Sequence, residues 1–403
     1  MDTLPQELVD TIVDILADDR RSLCALCSVS RSLRSQARVH FLRSARLWTE
    51  RSVLAFHDSC TLSPEILNLV QNLSVTLGVL RGGSDLRVPN AAAAKLRTSL
   101  EEQLLSHPLP NIQALRLELG CAYDDYISDI PTPLLSCPLT SLTLKARFVY
   151  SSHLPDLLRH YPALRYLDVS NTSICYMIQE EEVDQGVVLS IEDLSISSYI
   201  LPLCLDKQLF AIHALRSIKL ASFQLTGLHE CQWLLENPDG ALQRLHIHQP
   251  LHQDYRPIPK LEMLHVPYLT LEARRNDKFA VMSVKWFIDC LESGQDPVNT
   301  SRINILLTPS GKLDGSFFER SVDEHIWTSL DSTMTAPRFA ATTLCIWVGY
   351  ASFWYPRKPD ADLLEITQRF ICNALPGLRS ANRLEVHCKV LRYSFDEVMH
   401  LIG

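Results

Sequence analysis

The chain has 403 residues, more than one compact core usually holds, so two domains or an elongated repeat architecture are expected. Its 46% hydrophobic and 21% charged residues are typical of a folded globular protein and exclude extensive disorder as the default, while the net charge is −8. The chain has no secretory signal and no apolar run of about 18 residues, which predicts an intracellular protein, cytoplasmic, nuclear or both, that has no membrane partner.

The first fifty residues predict three short helices. In the first helix Pro5 can occupy the opening turn, and Glu7 lies near the positive end of the helix dipole. The apolar positions of the three helices are Leu4, Leu8, Ile12, Ile15 and Leu16, then Leu23, Leu26 and Val29, then Leu33, Ala37 and Phe41. Ser30 can cap the third helix. A bundle this small is marginal unless a larger body or a partner covers it.

One series of residues in this region has the order and spacing of a known pattern. The series is Leu4, Pro5, Glu7, Leu8, Ile12, Leu16, Leu23, Val29 and Ser30, followed by Leu47 and Trp48. At these residues the chain resembles the F-box family, especially its shorter form found in fungi, over about an eighth of its length. The resemblance implies that the residues from Leu4 to Ser30 bind Skp, the adaptor subunit of the cullin-based SCF ubiquitin ligase. An ordinary helical cap on a repeat domain is the alternative.

Positive charge is concentrated in residues 20–51. This segment carries eight arginines against a single acid, Glu50, and is therefore +7 in an acidic protein. The arginines are Arg20, Arg21, Arg31, Arg34, Arg38, Arg43, Arg46 and Arg51. Such a segment suits an acidic partner, or it forms solvated helix faces. No aromatic or lysine-rich pattern accompanies the arginines, so nucleic acid is not the expected partner.

From residue 70 onward an apolar-x-x-apolar-x-apolar motif recurs. Its occurrences are Val70/Leu73/Val75, Ile112/Leu115/Leu117, Leu139/Leu142/Leu144, Leu164/Leu167/Val169, Ile191/Leu194/Ile196, Leu215/Ile218/Leu220, Leu242/Leu245/Ile247 and Leu261/Leu264/Val266. From Leu115 to Leu245 the central positions are 24 to 27 residues apart. Helix-compatible stretches lie between them, at residues 151–161, 206–215 and 229–237. A strand and a helix in each period predict a parallel sheet with helices on one face.

This part of the chain resembles the leucine-rich-repeat family in its irregular form. The predicted fold class is therefore α/β, with a small all-α F-box-like bundle over residues 1–50 and a leucine-rich-repeat-like α/β solenoid over 51–403. The repeats are regular over about 110–270. Over 271–403 they are looser, with candidate strands at Ile303/Ile305/Leu307, Leu344/Ile346/Val348 and Leu384/Val386, a helix at 363–375 and a terminal capping helix. Asn171 is the only plausible position for the family's asparagine ladder.

No pattern of residues predicts a catalytic, cofactor or metal site. Cys24 and Cys27 have zinc or redox spacing but lack a second ligand pair, and the other cysteines are scattered in apolar strings, which predicts free thiols. His246 and His248 would share one face of a strand, yet no carboxylate or cysteine has a spacing that completes a metal site, so surface histidines are predicted.

These patterns together favour a non-catalytic adaptor. The N-terminal helices would bind Skp, and through it a cullin, while the solenoid holds a target protein that the sequence cannot identify. The alternative is a protein-interaction scaffold of the same fold without a role in ubiquitin transfer. An enzyme is the third class, disfavoured because no nucleophile or acid/base constellation has an interpretable spacing.

Overall fold

The computed structural model describes residues 5–17, 19–29, 31–76, 109–121, 132–176, 188–206, 208–221, 227–236, 242–248, 259–274, 277–294, 298–308, 324–351 and 361–391. Contacts divide the chain into two compact units. Unit 1 comprises Met1–Ile191 and Lys207–Phe210, and unit 2 comprises Glu192–Asp206 and Ala211–Gly403. None of the described helices is both long enough and apolar enough to cross a bilayer.

Unit 1 begins with three helices and continues as alternating helices and parallel strands. The elements are α1 Gln6–Ile15, α2 Arg20–Val29, α3 Arg31–Arg43, β1 Ser44–Leu47, α4 Glu50–Leu62, α5 Glu65–Leu69, β2 Asn72–Thr76, β3 Ala114–Cys121, α6 Thr132–Leu135, β4 Ser141–Tyr150, α7 His153–Arg159, β5 Tyr166–Val169 and β6 Ser173–Tyr176. Strands β1 to β5 pair in chain order, and β6 also pairs with β4. The predicted domain boundary at residue 50 follows β1, which is already part of this sheet.

Unit 2 has the same alternation. The elements are β7 Asp193–Ser197, α8 Leu201–Asp206, a 3-10 turn at Ile212–Ala214, β8 Ser217–Ala221, α9 Leu228–Glu236, β9 Arg244–His248, β10 Tyr268–Arg274, α10 Asp277–Ser293, β11 Arg302–Thr308, α11 Glu324–Thr335, a 3-10 turn at Pro337–Phe339, β12 Thr343–Ala351, α12 Ala361–Ala374, α13 Pro376–Ser380 and β13 Leu384–Leu391. Its strands pair in parallel in chain order from β7 to β13. The predicted α/β class with parallel strands is therefore confirmed.

The sheets form because each strand repeats the same apolar alternation. Leu73, Leu115, Leu142 and Leu167 are register neighbours on β2 to β5, and each is buried. Side chains at alternate positions point to opposite faces, so these leucines build one continuous apolar layer. Each fully buried leucine contributes about 1.5–3 kcal/mol of transfer free energy. Helices cover strands in both units, for example α7 on β4 and α10 on β10.

Six of the predicted strand segments, from 112–117 to 242–247, contain a strand that begins two residues later than the motif. In five of these six segments the first apolar residue of the motif, such as Ile112 or Leu139, is buried but precedes the sheet ladder, and in the sixth Leu242 is half-buried. The backbone N–H groups of Thr140 and Ser141 both donate to the carbonyl of Gln113, where the pairing of β4 with β3 starts. The motif thus marks the bend into the strand as well as the strand.

Two predicted elements are wrong. Residues 261–266 do not form a strand: 261–263 have no regular structure and a turn follows at Leu264 and His265. Leu261, Leu264 and Val266 are buried there, and β10 starts only at Tyr268. The predicted helix at 206–215 is reduced to the three-residue turn Ile212–Ala214. The helix between β7 and β8 lies earlier, in α8. In both cases buried apolar residues before a strand imitate the pattern of a regular element. The helices predicted at 151–161, 229–237 and 363–375 are confirmed as α7, α9 and α12.

Buried threonines form hydrogen bonds between neighbouring strand segments, and Asn171 does not. Asn171 is exposed and donates to the hydroxyl of Ser170. The hydroxyl of Thr172 donates to the carbonyl of Leu144 at 3.0 Å, and that of Thr342 donates to the carbonyl of Thr300 at 2.6 Å. A threonine hydroxyl thus satisfies a buried carbonyl at both places, whereas Asn171 faces solvent. The predicted capping helix at the end of the chain lies outside the described residues.

Candidate functional site

The three N-terminal helices α1 to α3, called the hook below, share a small apolar core. It consists of Val9, Val13, Leu23, Leu33 and Ala37. Two polar contacts link the helices beside this core. Nε2 of His40 lies 2.7 Å from Oδ1 of Asp14, which ties α3 to α1, and Nε of Arg34 donates to the carbonyl of Cys27 at 2.7 Å, which ties α3 to α2.

One side of α1 is apolar and exposed, and we call it the apolar face. It consists of Leu8, Ile12 and Ile15, whose side chains are 51%, 43% and 77% exposed. Residues three and four apart lie next to each other on a helix, so these side chains form a single stripe. Within the described part of the chain the stripe remains exposed. Neighbouring exposed apolar side chains that form one stripe are a candidate surface for association.

The predicted adaptor-binding residues fall into three groups. Leu4 and Ser30 lie outside the described residues. Pro5, Glu7, Leu8, Ile12 and Val29 are exposed, with Val29 68% exposed at the end of α2. Leu16 is half-buried, and Leu23 is only 1% exposed in the core of the hook. A side chain enclosed by its own domain offers no area to a partner, so Leu23 positions α2 and does not itself form an exposed contact.

Sequence reasoning missed two features of α1. Its core side is formed by Val9 and Val13, which were not in the predicted stripe, and Ile15 was not among the predicted contacts although it is the most exposed member of the apolar face. The helix is apolar over a wide arc, so its periodicity alone could not separate the inner side from the outer one. The valines were the available signal, since they lie at i and i+4 and their partners Leu23 and Leu33 were already assigned to helices.

Positive charge surrounds the hook and the first strand. Among the arginines of residues 20–51 whose side chains are described, Arg43 is half-buried and the remainder are exposed, namely Arg21, Arg34, Arg38, Arg46 and Arg51. Asp19 precedes α2 and accepts hydrogen bonds from the hydroxyl and the backbone N–H of Ser22, which lower the pKa of its carboxyl group. This carboxylate caps the helix and does not neutralise the arginines as a group.

The strands β1 to β4 carry a second open surface. A groove of about 580 Å³ lies over their polar side, opposite the buried leucines. Its polar and aromatic lining is formed by Ser44, Arg46, Trp48, Asn72, Ser74, Thr76, Arg116, Glu118, Ser141 and Thr143. The indole N–H of Trp48 donates to the hydroxyl of Ser74 at 3.1 Å, and the guanidinium of Arg46 lies 5.5 Å from the centre of its ring. These contacts hold the exposed indole in place, which suits recognition of a partner.

The prediction of surface histidines is wrong for His246, whereas His248 is half-buried. His246 is 5% exposed, and Glu272 on the neighbouring strand β10 is only 1% exposed. Oε2 of Glu272 lies 3.1 Å from Nε2 of His246, and Oε1 lies 3.8 Å from Nε2 of His248. The carboxylate that the sequence did not place is therefore between the two histidines. It was missed because parallel register, and not sequence spacing, brings His248 and Glu272 side by side.

The described cysteines are free thiols, and they differ in exposure. Cys24 is exposed on α2, whereas Cys204 and Cys345 are buried. Burial disfavours the charged thiolate, which raises the pKa of Cys204 to about 12 and that of Cys345 to about 11.

We expect iodoacetamide at mildly alkaline pH to modify Cys24 in the native protein long before Cys204 or Cys345. The thiolate is the reacting species, and a raised pKa together with burial leaves little of it available. Peptide mass spectrometry over a time course measures the order, and unfolding in urea should make all three react at similar rates. Equal rates in the native protein, or recovery of any of these cysteines in a disulfide, would contradict the structure.

Comparison of the chain with models of protein families and with curated proteins found no match.

Proposed function

We propose that the chain is the substrate-recognition subunit of an SCF-type ubiquitin ligase, with the hook binding Skp and, through it, a cullin. One observation carries the proposal. Leu8 and Ile12 belong to the residue series that resembles the F-box, and the same two side chains are exposed on the apolar face. Ordinary core residues of a helical cap would be buried at those positions, so the overlap favours a docking role over a cap.

The apolar face could supply the central part of an interface. Burying one Leu or Ile side chain contributes about 1.5–3 kcal/mol, and each 1.4 kcal/mol changes an equilibrium constant tenfold. Leu8, Ile12 and Ile15 together supply a small central anchor of the kind that dominates most interfaces. Val29 adds a further exposed apolar side chain at the end of α2.

The exposed arginines add an electrostatic contribution. Like charges on the hook and around β1 would attract an acidic adaptor and raise the rate of association. Isolated surface ion pairs contribute only about 0–1 kcal/mol each, so the arginines orient and accelerate docking while the apolar face supplies most of the affinity.

The second half of the proposal is that the repeat-bearing part of the chain is a leucine-rich-repeat-like solenoid that holds a target protein. The groove over β1 to β4 supports it, because an exposed Trp and nearby arginines are the side chains most often found at the centre of binding surfaces. The chain itself would perform no chemistry in this role. It would bring the target close to the ubiquitin-transfer subunits.

Affinity purification of the tagged chain, co-expressed with a Skp adaptor and a cullin, tests the proposal. We expect both subunits to be recovered in stoichiometric amounts and the complex to survive gel filtration. The competing role is an interaction scaffold of the same fold without ubiquitin transfer. Recovery of other proteins in the absence of Skp and cullin would support the scaffold and reject the ligase subunit.

A further inference from the structure

A cluster of three potential metal ligands lies on one face of strands β12 and β13 in unit 2. Cys345 and Glu385 are register partners, and the next pair along the same face is Trp347 and His387. One ligand atom from each of Cys345, Glu385 and His387 lies within 4.8 Å of those of the other two. Within the described residues, no other set of three such side chains brings its ligand atoms this close together.

We propose that Cys345, Glu385 and His387 bind a divalent transition-metal ion of the Zn²⁺ type. A thiolate, an imidazole and a carboxylate are ligands that Zn²⁺ accepts, whereas Mg²⁺ and Ca²⁺ prefer an all-oxygen shell. Zinc–ligand distances of about 2.0–2.3 Å place tetrahedral ligand atoms roughly 3.3–3.8 Å apart. Nε2 of His387 is already 3.6 Å from Oε2 of Glu385, so small side-chain rotations complete the geometry.

The surroundings of the cluster hold two of the three ligands in place. The ring of His387 stacks on Trp347, with ring centres 4.2 Å apart and an interplanar angle of 21°. Cys345 is fully buried, whereas the side chains of Glu385 and His387 are 43% and 40% exposed. The cluster is thus closed on the thiol side and open on the other, where a water molecule can take the fourth position.

Arg302 on β11 is positively charged and would repel a bound cation, so its replacement tests the proposed metal site. Nη2 of Arg302 donates to Oε2 of Glu385 at 2.7 Å, so the guanidinium already lies against one of the three proposed ligands. Binding of a divalent ion with release of the thiol proton adds one net positive charge beside this arginine. Replacing Arg302 with a neutral side chain should therefore tighten binding by about tenfold, because it removes that repulsion.

The experiment titrates the purified full-length chain with Co²⁺, followed by displacement with Zn²⁺. We expect one tetrahedral Co²⁺ with a thiolate-to-cobalt charge-transfer band, bleached by Zn²⁺. Cys345→Ser should abolish the band, and His387→Asn should weaken binding by at least about 100-fold. Cys388→Ser is the matched control, since Cys388 lies next to His387 on the same strand but on the opposite face, and it should leave the band unchanged.

Several results would overturn the site. They are the absence of a charge-transfer band in the wild-type chain, a band that persists in Cys345→Ser, and a band that disappears in Cys24→Ser, which would place the ion at the Cys24/Cys27 pair. If Cys345→Ser fails to fold by circular dichroism, the His387→Asn and Arg302→Gln variants decide. Weaker binding in the first and tighter binding in the second support the site, and any other combination rejects it.

Discussion

The double variant Leu8→Asp, Ile12→Asp is expected to lose Skp affinity by at least about 100-fold while it retains its fold. Both side chains are exposed in the free chain, so aspartate at these positions costs the hook little. In the proposed complex each substitution removes about 1.5–3 kcal/mol of apolar burial and places a charge in a dry interface, and the two losses together exceed two factors of ten. Isothermal titration calorimetry measures the affinity, with circular dichroism for the fold.

Leu62→Asp is the matched control for this prediction. Leu62 is 84% exposed on α4, so it undergoes the same chemical change outside the hook and should leave Skp affinity unaltered. Raising the salt concentration should weaken the binding of Skp by the wild-type chain, because salt screens the attraction between the exposed arginines and an acidic adaptor. An unchanged affinity in the double variant, or the absence of wild-type binding, would reject the F-box assignment and favour the interaction scaffold or the helical cap.

Replacing Glu272 with alanine is expected to lower the free energy of unfolding by about 3 kcal/mol. The side chain of Glu272 is buried between His246 and His248, and its removal leaves both imidazoles beside a small void where a carboxylate oxygen lay 3.1 and 3.8 Å away. Removing one member of a buried polar cluster is costly because the remaining polar atoms lose their neighbour without regaining water. Urea unfolding followed by tryptophan fluorescence measures the change in midpoint.

The control is Glu262→Ala, because Glu262 is an exposed glutamate of the same unit and should cost less than about 0.5 kcal/mol. A Glu272→Ala variant as stable as this control would mean that the contacts between the carboxylate and the two histidines contribute nothing measurable. That result would also remove the reason for regarding the polar side of β9 and β10 as tightly constrained.

Much of the sheet could be predicted because its signal is local. Each strand needs alternate apolar residues, and the chain shows them in runs such as Leu115/Leu117 and Leu142/Leu144, so strands and their parallel class follow from the sequence. The same signal failed at residues 261–266. Leu261, Leu264 and Val266 are as buried as strand residues, yet they lie outside any strand. An apolar pattern therefore indicates burial without specifying the backbone conformation that achieves it.

The structure of the hook, like that of the sheet, could be predicted only in part. Its helices could be predicted from periodicity, but α1 is apolar on two adjacent sides, and which side faces the core depended on where α2 and α3 place Leu23 and Leu33. Only that packing assigned Val9 and Val13 to the inside and left Leu8 and Ile12 exposed. The proposed docking surface therefore depends on tertiary structure, even though Leu8 and Ile12 were named as contacts from the sequence.

The sequence by itself determined the parallel α/β class, the approximate position of most strands, and a basic N-terminal helical segment. The tertiary structure decided which distant side chains meet. Glu272 on β10 lies beside His246 and His248 on β9. Cys345 on β12 lies beside Glu385 on β13, although the two residues are 40 positions apart in the sequence. The physical reason is that parallel neighbouring strands are joined by crossover connections of variable length. The register of two strands is set by how each crossover packs on the sheet, so residues that meet across the strands have no fixed spacing in the sequence.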